Sequence, residues 1–198
     1  KTDPTQRSRG ISILMVETKD LQGYRVGRVL DKIGQNGWDT AELFFDDCRV
    51  PASALIGGVE GQGFKTAMKV LDKGRLHIAA ACVGLAERIL DDMLAYAVGR
   101  RQFGRPLADF QLLQAMFADS KADAYAARCM VLDAARKRDA GQDVSVEASC
   151  AKMFASEAVG RIADRNVQVH GGNGYIREYR AEQLYRDARL FRIYEGTT

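Results

Sequence analysis

Between residue 52 and the last residue, 198, there is a single proline, Pro106, and nearly all of that stretch is written in helical spacing. Phe64, Met68, Leu71, Ile78, Cys82, Leu85, Ile89 and Met93 recur at steps of three, four or seven, which places them on one face of a 3.6-residue period. Proline removes a backbone donor and clashes with the preceding turn. Its near absence over so long a run leaves long helices as the natural solution. The spacing predicts a first helix over 63–98, roughly 50 Å long at 1.5 Å per residue. A second is expected over 110–140, ended by Gly141, and a third over 145–170 with Ala151, Phe154, Ala158, Ile162 and Val167 on its buried face. A short fourth covers 180–189. Long helices with short connections pack as an antiparallel bundle.

The first 57 residues have a different texture. Ile11–Val16 is apolar and β-branched, 24–29 alternates, and 40–50 forms a third candidate strand stopped by Pro51. Asp20-Leu21-Gln22-Gly23 and Gln35-Asn36-Gly37 between them are turn chemistry. The glycine-rich run Gly57–Gly63 marks the change of texture. The expected fold class is therefore mainly α: an antiparallel four-helix bundle over 58–198, preceded by a partial β-sheet domain over 1–57, α+β overall.

Twenty-nine basic against 26 acidic residues leave a net charge of +3 with no long like-charged block. A nucleic-acid groove is not indicated. Cys48, Cys82, Cys129 and Cys150 are widely spaced, and with only His77 and His170 no metal-site spacing can be assembled. Buried free thiols in a reducing compartment are expected. No apolar run is long enough for a membrane span. Lys1 is neither an initiator nor part of a signal sequence, so the chain reads as part of something longer.

Four stretches stand out as chemistry. Asp72-Lys73-Gly74-Arg75 puts a carboxylate and a guanidinium on one helix face at i, i+3. Gly74 costs such a helix about 1 kcal/mol relative to Ala, which suggests that something packs close there. Arg100-Arg101-Gln102-Phe103-Gly104-Arg105 is either a basic helix end favoured by the macrodipole or a dinucleotide contact, arginine on phosphate beside an aromatic ring. Gln168-x-x-Gly171-Gly172-x-Gly174 follows a helix, so it is neither a Rossmann loop nor a P-loop, though its amides could face an anion or a purine. Finally, Tyr194-Glu195-Gly196-Thr197 places an acid directly before a glycine that can take positive φ, facing either solvent or a closely approaching ligand.

In this order, with Arg186-Asp187-Ala188-Arg189 before the last, these stretches resemble the acyl-CoA dehydrogenases, over essentially all 198 residues. The family has an N-terminal helical domain, a middle β domain and a C-terminal four-helix bundle, usually assembled as a tetramer. The resemblance implies that 1–57 is the end of the middle β domain, that the chain is a C-terminal portion lacking the family's last helix, and that alone it is inactive and holds little flavin. It implies α,β-dehydrogenation of an acyl-CoA thioester to the trans-2-enoyl-CoA. Glu195 would be the base that removes the α-proton, FAD the hydride acceptor and an electron-transfer flavoprotein the onward partner. By the same comparison Asp72, Arg75 and Gly196 would contact the acyl-CoA. Arg100, Gln102, Phe103 and Gln111 would reach the FAD of a neighbouring subunit in a homo-oligomer, with Gln168, Gly171 and Gly172 at its adenine end and Thr197 a further FAD contact. Some relatives carry the base on the long helix, at the position held here by Gly74, which leaves Glu195 as the candidate. Gln183 departs from a basic residue common in the family. An acyl-CoA oxidase of the same fold and a non-catalytic helical assembly module are the alternatives.

Overall fold

A computed structural model describes residues 1–198. The chain divides into two compact units, Lys1–Leu71 and Asp72–Thr198. The division falls inside one long helix, α1 (Gly63–Gly99). No helix is long and apolar enough to cross a membrane.

In the first unit, β1 (Tyr24–Val29) pairs antiparallel with β2 (Ala41–Phe45), in the register Tyr24↔Phe45, Arg25↔Phe44 and Val26↔Leu43, with an irregularity before Val29↔Ala41. Cross-strand pairs hold it: the Tyr24 and Phe45 rings lie 5.1 Å apart, and the Arg25 guanidinium stands 3.6 Å over Phe44. Gly23, at φ 84°, is obligatory, because a Cβ there would meet the Asp46 carbonyl oxygen at 2.0 Å. Two expectations need correction. Ile11–Val16 is not a strand; it makes one bridge, Leu14↔Leu55. Its neighbour is the chain leaving the 3₁₀ turn Ala52–Ala54, tied to it by two bonds, Met15 N–H to Ala54 O at 2.8 Å and Ile56 N–H to Ile13 O at 3.0 Å, before Gly57 and Gly58 at positive φ turn that chain aside and no ladder follows. The strand expected over 40–50 ends at Phe45, just before Asp47 turns the backbone to φ 49°.

The second unit is the bundle. After the rest of α1 comes a tight hairpin, β3 (Arg101–Gln102) and β4 (Arg105–Pro106). Then follow α2 (Gln111–Asp139), α3 (Ser145–His170) and α4 (Arg180–Ala188). Side-chain pairs fix the directions. Arg161 and Arg165 of α3 meet Asp123 of α2, and Lys137 of α2 meets Glu147 of α3, so these helices are antiparallel. Arg75 with Ser149 and Tyr96 with His170 make α1 and α3 parallel neighbours. The core gathers Ala79, Cys82, Ala86 and Ile89 of α1, Ala124 and Ala127 of α2, Ala155, Val159 and Ile162 of α3, and Leu184 and Phe191. The many alanines let the helices approach closely, and each buried large aliphatic contributes about 1.5–3 kcal/mol. Gly141, at φ 79°, stops α2 as its position in the sequence suggested.

Periodicity misjudged some side chains. Phe64 and Met68 are exposed, and Asn166, absent from the expected face of α3, is fully buried. The cysteines are all free, but only Cys82 is buried, while Cys129 and Cys150 are exposed. Spacing does not tell a cysteine on the solvent face of a helix from one in its core.

Candidate active site

The last residues leave the bundle through a 3₁₀ turn, Arg189–Arg192, and reach a corner where two consecutive residues have left-handed backbone, Glu195 at φ 55° and Gly196 at φ 96°. That conformation is free for glycine but strained for glutamate. It turns the Glu195 side chain back onto α1. There the carboxylate lies against Gly74: a Cβ built on Gly74 would stand 2.5 Å from Glu195 Oε2 and 2.8 Å from its Cδ. This is the close packing expected of a glycine in mid-helix, and its occupant is the Glu195 carboxylate.

The surroundings are cationic and partly dry. Glu195 is half-buried, and its Oε2 is buried without a hydrogen-bond partner. Arg75 Nε points to the Glu195 carbonyl oxygen at 3.4 Å. Its Nη1 donates to Asp72 Oδ1 and to Ser149 Oγ, each at 3.2 Å. From α3, Lys152 donates to the Gly196 carbonyl oxygen. The corner's carbonyls are thus engaged, while the Glu195 amide N–H makes no hydrogen bond within the chain. Arg75, Ser149, Lys152, Met153, Glu195 and residues 196–198 line an open depression of about 230 Å³. Burial pushes the Tyr194 phenol above its ordinary value, with Cys82 and Glu195 acting in the same direction.

The other expected residues lie at the opposite end of the bundle. From Arg75 to Arg100 along α1 is roughly 38 Å at 1.5 Å per residue. At that end Arg100 follows α1, Gln102 sits in β3, and Phe103 is 90% exposed at φ 53°. The Phe103 ring meets Phe110 edge-on at 6.2 Å, and the Arg105 guanidinium lies 4.0 Å over Phe110. With Gln111, the first residue of α2, they border a second depression of about 510 Å³. Gln168, Gly171 and Gly172 sit where α3 ends, Gly171 at φ 57° with open space on its Cβ side. A buried cluster of Met93, Ala97 and Val169 packs the end of α1, the start of α2 and the end of α3 together. Tyr96 also donates to the His170 carbonyl at 3.3 Å. The structure therefore gathers Asp72, Arg75, Glu195, Gly196 and Thr197 at one end and Arg100, Gln102, Phe103, Gln111, Gln168, Gly171 and Gly172 at the other.

The motifs of the sequence do not single out Ser149 or Lys152; the signal for Lys152 is a lysine inside the apolar stripe of Ala148, Ala151, Ala155 and Val159.

The family model described as the acyl-CoA dehydrogenase C-terminal domain matches residues 61–198. The chain is 42% identical over 198 residues to the caffeyl-CoA reductase-Etf complex subunit CarC of Acetobacterium woodii, covering 100% of this chain and 52% of that protein. It is 42% identical over 197 residues to an acryloyl-CoA reductase (NADH) of Anaerotignum propionicum, covering 100% of this chain and 50% of that protein. Among solved structures, butyryl-CoA dehydrogenase from Megasphaera elsdenii matches with a TM-score of 0.94 at 41% identity, over 99% of this chain and 51% of that one. The chain spans about half the length of these relatives. A match that runs from residue 61 to the last residue, joined to whole-chain likeness above 40% identity, means that the chain belongs to the acyl-CoA dehydrogenase family.

Proposed function

We propose that the complete protein interconverts an acyl-CoA thioester and its trans-2-enoyl-CoA, with Glu195 as the group that moves the α-proton. The observation that carries this reading is the Glu195 carboxylate itself, with one oxygen buried and unpartnered above a glycine. A carboxylate oxygen without a protein donor has its lone pairs free to accept a proton from the substrate. In the oxidative direction Glu195 takes the α-proton, and the electrons of that C–H bond become the second bond of the alkene. The unengaged Glu195 amide is available to donate to the thioester oxygen as negative charge develops there. Asp72 and Arg75, half-exposed beside it, are placed to hold the polar part of the substrate.

The end formed by Arg100, Gln102, Phe103 and Gln111 with Gln168, Gly171 and Gly172 fits a dinucleotide. It offers an exposed ring with arginines beside it, and glycines with open space above them. FAD, when bound, supplies the acceptor for the β-hydrogen and its electron pair. The span between the two ends exceeds the reach of one extended dinucleotide. That supports a homo-oligomer, a tetramer by the family's habit, in which these residues serve a neighbour's cofactor while Thr197 serves the chain's own. An electron-transfer flavoprotein is the proposed partner, in keeping with the Etf complex named for the Acetobacterium woodii relative.

The names of the two reductases favour a second reading, in which the physiological direction is reduction of the 2-enoyl-CoA. Glu195 then delivers the proton to the α-carbon. Glu195→Gln in the complete holoenzyme tests the shared chemistry. Flavin reduction by acyl-CoA should fall by at least about 10³-fold with FAD retained; turnover that survives the change removes Glu195 as the base.

A further inference from the structure

Along α3 the buried face reads Ala148, Ala151, Ala155, Val159 and Ile162, and Lys152 lies among them with only 3% of its surface exposed. Lysine is almost never buried so deeply without a partner. This one forms no salt bridge, and its ammonium donates to the carbonyl oxygen of Gly196. Glu195 and Gly196 both have left-handed backbone. For a glutamate that conformation persists only where its surroundings hold it. The corner is held by two cations from two helices: Arg75 of α1 on the Glu195 carbonyl and Lys152 of α3 on the Gly196 carbonyl. Arg75 is shared with Asp72 and Ser149, and its contact with the corner is long at 3.4 Å.

The geometry points to Lys152 as the positioning residue for Glu195, anchoring the strained corner from α3 so that the carboxylate rests over Gly74. This rests on the reading of Glu195 as the base. The groups around the corner are Asp72, Arg75 and Cys82 from α1, Lys152 and Glu157 from α3, and Tyr194 on the terminal segment, with Glu157 itself facing Arg192. Burial holds the Lys152 ammonium below its ordinary value; Cys82, Glu157 and Glu195 pull it back up, while Arg75 adds to the lowering.

The test uses the complete holoenzyme and follows flavin reduction by an acyl-CoA over a range of substrate concentrations, with FAD content measured in parallel. Lys152→Met should slow reduction at saturating substrate by about 10²-fold, the cost of a small misplacement of a catalytic group. Apparent substrate affinity should change by less than about threefold, since the lost interaction serves the transition state. Lys152→Arg, which keeps the cation and a donor, should recover much of the rate. Lys152→Gln keeps a donor without the charge and decides the matter if the Met variant fails to assemble: slowed reduction at unchanged apparent affinity and FAD content supports the inference, and an unchanged rate overturns it. Wild-type behaviour of the Met variant beside an inactive Glu195→Gln removes the positioning role alone. An active Glu195→Gln removes the reading of the base.

Discussion

A methyl group on Gly74 would stand 2.5 Å from one oxygen of the Glu195 carboxylate and 3.0 Å from the other, inside the separation at which non-bonded heavy atoms are comfortable. The same methyl would favour the helix by about 1 kcal/mol. Gly74→Ala therefore separates fold from function. In the complete enzyme, flavin reduction by acyl-CoA should fall by about tenfold or more as the carboxylate is displaced, while the melting temperature holds or rises. A thermal melt and a single-turnover reduction measure the two, and full activity in the Gly74→Ala enzyme would show that the carboxylate does not work from this position. Cys82 offers a second test at this scale. Burial pushes its thiol up to about 12, with the Lys152 charge opposing that rise. The nucleophile is the thiolate, so alkylation of the native chain should label the exposed Cys129 and Cys150 quickly and Cys82 only on unfolding. Mass mapping of the labelled peptides reads this directly.

Asp123 joins α2 to α3. Arg161 donates to both its oxygens at 2.9 and 3.2 Å, and Arg165 donates at 3.1 Å. Burial alone would raise its carboxyl, but the hydrogen bonds from Arg161 and Arg165 outweigh it and hold the group below its ordinary range. A folded value below the unfolded one means that the pair's stabilisation is complete above the unfolded value, about 3.9, and is lost as pH falls through the folded one. Asp123→Asn should cost about 1–2 kcal/mol at neutral pH, discounted for the half-exposed Arg161. The gap to wild type should close below about pH 4. Urea unfolding at neutral and acid pH checks it; a gap that stays constant into acid would show that the ion pair contributes nothing. These helices were legible because their apolar positions repeat with the period of the element and Gly141 marks an end. Ile11–Val16 was not, because a strand is defined by its partner and no property of those residues reveals that the neighbour at Leu55 is a short stretch between a 3₁₀ turn and two glycines at positive φ. The site divides the same way. Glu195-Gly196 and Gly74 broke helical rules locally and so could be seen, whereas Lys152 and Asn166 are polar residues in a buried stripe whose surroundings are fixed only by other helices.

At the scale of the whole chain, the two units differ in how much apolar surface they bury. The bundle encloses Ile89, Met93, Val159 and Ile162 completely. The first unit leaves Met15 and Trp38 each 71% exposed, with Val26, Val29, Leu43 and Phe45 about half exposed on a sheet of two strands. Two strands alone are marginal in water, because ordering them costs more conformational entropy than one thinly covered face returns. The units share α1, so opening of the first need not carry the second with it. In hydrogen exchange on this 198-residue chain, the amides of β1 and β2 should exchange through low-cost local opening. Those of α3, and of α1 from Ala79 to Ala97, should exchange only near the limit set by global unfolding. Peptide-resolved exchange measures the difference, expected to be at least about a hundredfold in protection. Equal protection of β1 and α3 would mean that the sheet is stabilised from its exposed face, and that the two units unfold as one.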